Sequence, residues 1–225
     1  MQDVLEEALQ ETVGQPVRIH GAGRTDAGVH AEGQVCHFDV SSGTLTPDEW
    51  VRALNARLPG TVRVLSAAVT AENFHARYSA RAKVYRYRLV TEPVLPPALF
   101  QRAWHVRELS VRPLQDAATV FVGRHNFAAF SANRGGPVHD PCRTIFSANL
   151  LPVAHGFELT FRGDGFLYKM VRMMVGACVR HARGLVSLED LAGRLTAGGA
   201  RWNHVAPADG LCLVNVEYGE AHTSC

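Results

Sequence analysis

Apolar residues recur along this chain in two periods, and the switches between them divide it into elements. Val4, Leu5, Ala8 and Leu9 fall on one face at helical spacing, which predicts an amphipathic helix over Met1 to Leu9. Val17 to Ala22 and Gln34 to Val40 read as strands. Thr46-Pro47-Asp48-Glu49 is a capping box with proline at the first helical position, predicting a helix to about Arg57 that ends at Pro59-Gly60. Val62 to Val69 and Lys83 to Val90 read as further strands, and Pro93, Pro96 and Pro97 mark a connecting segment. Ser110 stands where it could cap a helix over Val111 to Val122, and Ser131 to Cys142 has the composition of a long surface loop. Thr144 to Leu151 and Phe157 to Phe161 read as a strand pair turning around Ala154-His155-Gly156. Phe166 to Arg183 reads as a helix, Ser187 opens a shorter one with a capping pattern, and Gly210 to Tyr218 closes the chain as a strand. Strands and helices thus alternate in two similar halves, which predicts an α+β fold with antiparallel sheets faced by helices. We place the halves at residues 1–74 and 75–225.

Composition narrows the class without deciding it. The chain has 225 residues, 47% of them hydrophobic and 20% charged, with a mean hydropathy of −0.04, the profile of a globular domain with a real core. No apolar run is long enough to span a bilayer, and no basic start leads into an apolar stretch. Cys36, Cys142, Cys178, Cys212 and Cys225 are odd in number and scattered, as reduced thiols of a cytoplasmic protein would be. A net charge of +2 argues against a generically basic nucleic-acid coat. Local clustering says more. Arg77, Arg81, Lys83, Arg86 and Arg88 crowd one segment together with Tyr78, Tyr85 and Tyr87, and basic groups interleaved with aromatics suit a nucleic-acid groove.

The candidate chemistry sits between the first two strands. Asp26 stands in a turn flanked by Gly21, Gly23 and Gly28, where the backbone can bend sharply and approach another molecule. Arg24 precedes it by two residues and could pair with phosphate. Asp-Ala-Gly alone is an ordinary turn sequence. Other chemistries fail here on single letters. A dinucleotide fingerprint would need glycine at Asp26, and a P-loop would need lysine at Val29. A zinc deaminase could use His30-Ala31-Glu32 and Pro141-Cys142, but Ile145 stands at the second cysteine position. We read no metal site. In the helix from Phe166, Met170, Met173, Met174 and Ala177 follow core spacing, whereas Lys169 and Arg172 share what would by default be a solvated face.

The whole stretch Gly23-Arg24-Thr25-Asp26-Ala27-Gly28-Val29-His30-Ala31 resembles, letter for letter, the active-site motif of the tRNA pseudouridine synthase A (TruA) family. The resemblance continues through Phe74-His75-Ala76-Arg77, Val84-Tyr85-Arg86-Tyr87, Gly123-Arg124-His125-Asn126-Phe127, Arg143-Thr144-Ile145, the Phe166 to Arg172 segment and Ala206-Pro207-Ala208-Asp209-Gly210-Leu211. It implies a pseudouridine synthase fold whose N-terminal half carries Asp26 as nucleophile. It also implies Tyr85 as the active-site tyrosine, Arg172 as a basic partner that orients Asp26, and Arg24 as a group that contacts the substrate. The family is dimeric, needs no cofactor and isomerises uridines at tRNA positions 38 to 40, so the implied partners are tRNA and a second copy of the chain. An ordinary aspartate is a carboxylate at neutral pH and a suitable nucleophile for sugar or pyrimidine; the sequence leaves both targets open. The family normally opens with a strand and an aromatic segment before the first helix, whereas this chain begins at the helix. Met1 stands where the family usually has valine, as an internal start codon or a true truncation would give. In either case the first sheet is expected to lack one strand.

Overall fold

The computed structural model describes residues 1–40, 45–132, 140–196 and 198–219, so most of the loop expected over 131–142, and Cys225, lie outside the described residues. The chain divides into two compact units: Met1–Arg24, Gln34–Ala80 and Tyr218–Cys225 form the first, and Thr25–Gly33 with Arg81–Glu217 the second. This division departs from 74/75: the crossover falls six residues later, after Ala80, and the segment carrying Asp26 goes with the second unit.

In the first unit, α1 (Gln2–Val13) runs past its expected end because Gly14, at φ 75°, supplies a left-handed cap whose N–H bonds the Gln10 carbonyl. Strand β1 (His20–Gly21) is followed by β2 (His30–Ala31) of the second unit and then by β3 (Cys36–His37). β1 pairs with β3 antiparallel, His20 opposite His37, over far fewer residues than the sequence suggested. Helix α2 (Pro47–Asn55) has the expected capping box, with Thr46 accepting from the Glu49 N–H and Glu49 accepting from that of Thr46. Leu9, Ile19, Trp50 and Leu54 form the centre of this unit's core, and Phe38 meets Trp50 edge-on at 5.2 Å. The strand expected over Val62 to Val69 is absent. Its alternation is real, since Val62 and Val64 face the core. The backbone partner is a side chain: the Asn55 amide accepts from the Val64 N–H and donates to its carbonyl, both at 2.8 Å.

The second unit is built on β4 (Ala80–Val90), β5 (Trp104–His105), β6 (Gly123–Asn126), β7 (Cys142–Val153), β8 (Gly156–Gly163) and β9 (Leu211–Tyr218), with α3 (Val111–Thr119), α4 (Met170–Ala182) and α5 (Leu188–Gly193). The strand order is β2-β9-β4-β8-β7-β6, with β5 beside β4. The class is α+β, but this sheet is mixed rather than purely antiparallel. β4, β8, β7 and β6 are antiparallel neighbours, whereas β2 runs parallel to β9 and β5 parallel to β4. Along β4, Tyr85, Tyr87 and Leu89 are buried on one face. Arg86 and Arg88, on the other, both pair with Glu158, and Arg86 also with Glu32. The tyrosines and arginines of this strand therefore do not form the single interleaved groove expected from their sequence crowding.

Two further helices differ from expectation at their ends. α3 stops at Thr119, and Ser110 makes no capping bond. α4 begins at Met170, because Lys169 takes a left-handed conformation at φ 60° and breaks the apolar run from Phe166. Lys169 and Arg172 consequently do not share a helical face. α4 is buried on most of its sides, at Met170, Val171, Met173, Met174 and Val175 through Val179. A glycine within it, Gly176, lies against the backbone that follows Trp202: a Cβ there would stand 2.7 Å from the His204 carbonyl oxygen.

Gly176→Ala is therefore destabilising. The collision with a backbone atom costs about 1–3 kcal/mol, which exceeds the ~1 kcal/mol that alanine gains over glycine in a helix. Gly193→Ala in α5, with nothing within 4 Å of its Cβ position, is stabilising by up to about 1 kcal/mol. Denaturant unfolding of both variants measures the two signs.

Candidate active site

Asp26 and Arg172 meet inside the second unit. Arg172 Nη1 donates to Asp26 Oδ2 at 2.8 Å, and the two side chains are only 14% and 16% exposed. They are separated by 146 residues of chain, and each is held by its own local structure. The Asp26 turn is closed by the Val29 N–H on the Asp26 carbonyl at 3.1 Å. Gly28, at φ 83°, permits that turn and its close approach to the next segment: a Cβ there would lie 3.1 Å from both Ala208 Cβ and Asp209 Oδ1. Beyond the turn, β2 is registered on β9, His30 opposite Cys212 and Ala31 opposite Leu213. The Glu32 and Gly33 N–H groups then both reach the Leu213 carbonyl.

Arg172 is fixed from the same side. Its Nε donates to the Ala206 carbonyl at 2.8 Å, and its own backbone carbonyl accepts from the Ala206 N–H at 3.1 Å. One planar guanidinium thus spans a backbone carbonyl and a carboxylate, a task for a fork of fixed geometry. The default reading of Arg172 as part of a solvated face does not hold. The segment from His204 to Gly210 serves as a common frame. It meets Gly176 and Arg172 of α4, lies against Gly28, and accepts the Tyr87 hydroxyl on the Pro207 carbonyl at 2.8 Å. Gly210 is needed there, since a Cβ would come within 2.6 Å of the Tyr87 ring.

Tyr85 lies on the same face of β4 as Tyr87 and is 9% exposed. Phe166, in the stretch before α4, packs edge-on against it with centroids 5.0 Å apart. Burial, and after it the negative charge of Asp26, pushes the Tyr85 phenol up to about 12. The phenol is therefore neutral at any physiological pH and is close enough to feel the carboxylate. Asp26, Arg172 and Tyr85 are brought together. Arg24 is exposed and is the last residue of the first unit before the chain passes into the second at Thr25.

The residues of the deaminase alternative are otherwise engaged: the His30 ring bonds the Gln101 carbonyl at 2.7 Å and Glu32 pairs with Arg86. Among the described residues no group of three or more His, Cys, Asp or Glu is placed to hold a metal ion, and no helix is long and apolar enough to cross a membrane. Sequence reasoning singled out 206–211 by resemblance but missed that 204–210 frames the site. Its available signals were two: a glycine in a helix interior, which costs stability unless something packs there, and a lone arginine within Met-Val-Arg-Met-Met-Val.

The site has a charge that can be titrated. Since the Tyr85 phenol is raised from 10.0 to about 12, the folded state holds its proton more tightly than the unfolded chain. Its contribution to stability is complete below pH 10 and is lost as pH rises to about 12. Tyr85→Phe flattens this part of the alkaline loss, as measured by urea unfolding at a series of pH values.

Known proteins share this arrangement of sequence. A family model described as tRNA pseudouridine synthase matches residues 1–79 and 117–219, with Tyr85 in the interval between the two stretches. Among curated relatives, the tRNA pseudouridine synthase A of Akkermansia muciniphila is 45% identical, over 98% of this chain and 86% of its own. That of Methylacidiphilum infernorum is 42% identical over 97% of this chain and 86% of its own. That of Solidesulfovibrio magneticus is 45% identical over 97% and 82%.

Proposed function

Since the chain belongs to the tRNA pseudouridine synthase family, an isomerase acting on uridines of tRNA, we propose that Asp26 is its nucleophile and that its targets lie in the anticodon stem-loop, at positions 38 to 40. The observation that carries this reading is the Asp26–Arg172 pair beside the neutral Tyr85 phenol. The reaction breaks the N-glycosidic bond, turns the uracil and rejoins it through carbon. The carbon gives up a proton and the released ring nitrogen gains one, so no oxidant or co-substrate enters. A carboxylate can carry the sugar or the pyrimidine covalently while the base turns. Arg172 holds that carboxylate in one orientation, so the attacking group is positioned before the substrate arrives. Reaching it requires the uridine to leave its stack, which costs a few kcal/mol. Tyr85 offers the extruded ring an aromatic edge, and Arg24, exposed and two residues before Asp26 in the chain, holds the RNA backbone. With a net charge of only +2, a second copy of the chain adds to the electrostatic grip on one tRNA. We therefore place the enzyme as a homodimer, and the four free cysteines among the described residues fit the cytoplasm.

Asp26→Asn keeps the shape and removes the charge. Pseudouridine formation falls to background while tRNA binding persists, because phosphate contacts supply most of the affinity. Single-turnover assays beside equilibrium binding measure both. An Asp26→Asn protein that isomerises tRNA near the wild-type rate contradicts the assignment.

A further inference from the structure

The first unit carries a ladder of rings that the proposed chemistry does not use. His20 stacks on His37 with centroids 5.1 Å apart and planes 23° from parallel. His37 meets His75 at 4.6 Å, and His75 meets Tyr78 at 4.3 Å. The ladder ends at Tyr78, which is 75% exposed, and the Arg77 guanidinium lies 5.6 Å from its ring centroid. Arg18 lies at the other end. It alternates with buried Val17 and Ile19, so it shares the outward side of that segment with His20.

The ladder is rigid. His75 Nδ1 accepts from the backbone N–H groups of Arg77 and Tyr78 at 3.1 and 3.3 Å. The His75 N–H donates to Ser79 Oγ, and the Ser79 N–H returns to the His75 carbonyl. His37 Nδ1 accepts from the Ala76 N–H at 3.1 Å, and the Tyr218 hydroxyl donates to the Ala76 carbonyl at 2.7 Å. Acceptance at Nδ1 leaves Nε2 as the ring N–H of His37 and His75. Burial and the neighbouring His75 and His20 also hold His37 below the usual histidine range. A core would not leave its terminal tyrosine in solvent. The turn fixes a ring that is 75% exposed, with the Arg77 guanidinium over it at 5.6 Å.

We propose that this ladder is a base-stacking platform, on which an unpaired nucleobase of the RNA substrate lies against Tyr78 while Arg77 and Arg18 receive the flanking phosphates. The proposal rests on the tRNA substrate argued above. Rings with open faces and interspersed arginines are the elements by which unpaired bases are held, and stacking of this kind tolerates any base. The imidazoles lie behind Tyr78 in the ladder. They extend the aromatic surface inward and keep the tyrosine upright.

The test compares equilibrium binding of transcribed tRNA by the wild type, Tyr78→Ala and Tyr78→Phe across a salt series, with single-turnover pseudouridine formation on the same samples. Tyr78 is mostly in solvent, so thermal melting stays unchanged in both variants. Tyr78→Ala weakens binding by about 5- to 150-fold, the range for loss of one base stack, and Tyr78→Phe binds as the wild type. The salt slope is the same in all three, because no phosphate contact is removed. A Tyr78→Ala protein that binds like the wild type, a Tyr78→Phe protein that fails like the alanine variant, or a changed salt slope overturns the platform. If the wild type binds and isomerises tRNA, such a result overturns the platform alone. If the wild type neither binds nor isomerises tRNA, the functional reading fails and takes the platform with it.

Discussion

One guanidinium organises the second unit's site. Arg172 uses Nε for the Ala206 carbonyl and Nη1 for the Asp26 carboxylate, and its own backbone carbonyl receives the Ala206 N–H. The helix, the segment before the last strand and the Asp26 turn are therefore referred to a single planar group. At 14% and 16% exposure the pair is largely out of water, where desolvation of both charges opposes their attraction. Its value then lies in direction more than in net stability. An uncompensated carboxylate in that position would cost more than the pair gains, so the arrangement persists only with both partners present.

The rest of the unit explains why the pair can be so well defined. Gly176 allows α4 to sit on the His204 carbonyl, Gly28 allows the Asp26 turn to sit on Ala208 and Asp209, and Gly210 leaves room for the Tyr87 ring. Three missing side chains thus let three elements converge on one stretch of backbone. The parallel pairing of β2 with β9 ties the far end of the turn to the strand that follows that stretch. Tyr85 reaches the same place from β4, where strand alternation puts Tyr85, Tyr87 and Leu89 on the buried face.

Local chemistry was legible in the sequence where one segment decides it. The capping boxes at Thr46 and Ser187 form as their residue types require, and the hairpin turns where Ala154-His155-Gly156 indicated. What was not legible is decided by something the segment's own periodicity does not carry. Val62 to Val69 alternates like a strand, yet its backbone is answered by the Asn55 side chain. Phe166 to Tyr168 continues an apolar helical pattern, yet Lys169 turns left-handed and the helix starts after it. The crowding of arginines and tyrosines on β4 suggested one surface, whereas alternation sends the tyrosines inward and leaves the arginines to Glu158 and Glu32. Asp26 with Arg172 was accessible through family resemblance alone, because no periodicity links residues so far apart.

The central claim is that Arg172 acts through geometry as well as charge. Arg172→Lys separates the two, since an ammonium keeps the charge but cannot hold the Ala206 carbonyl and the carboxylate in one plane. The decisive measurement is the single-turnover rate of pseudouridine formation at saturating tRNA for that variant. The account predicts a fall of about 10²-fold, as displacement of a positioned group by about 1 Å produces, with tRNA affinity retained. A rate equal to that of the wild type would contradict it.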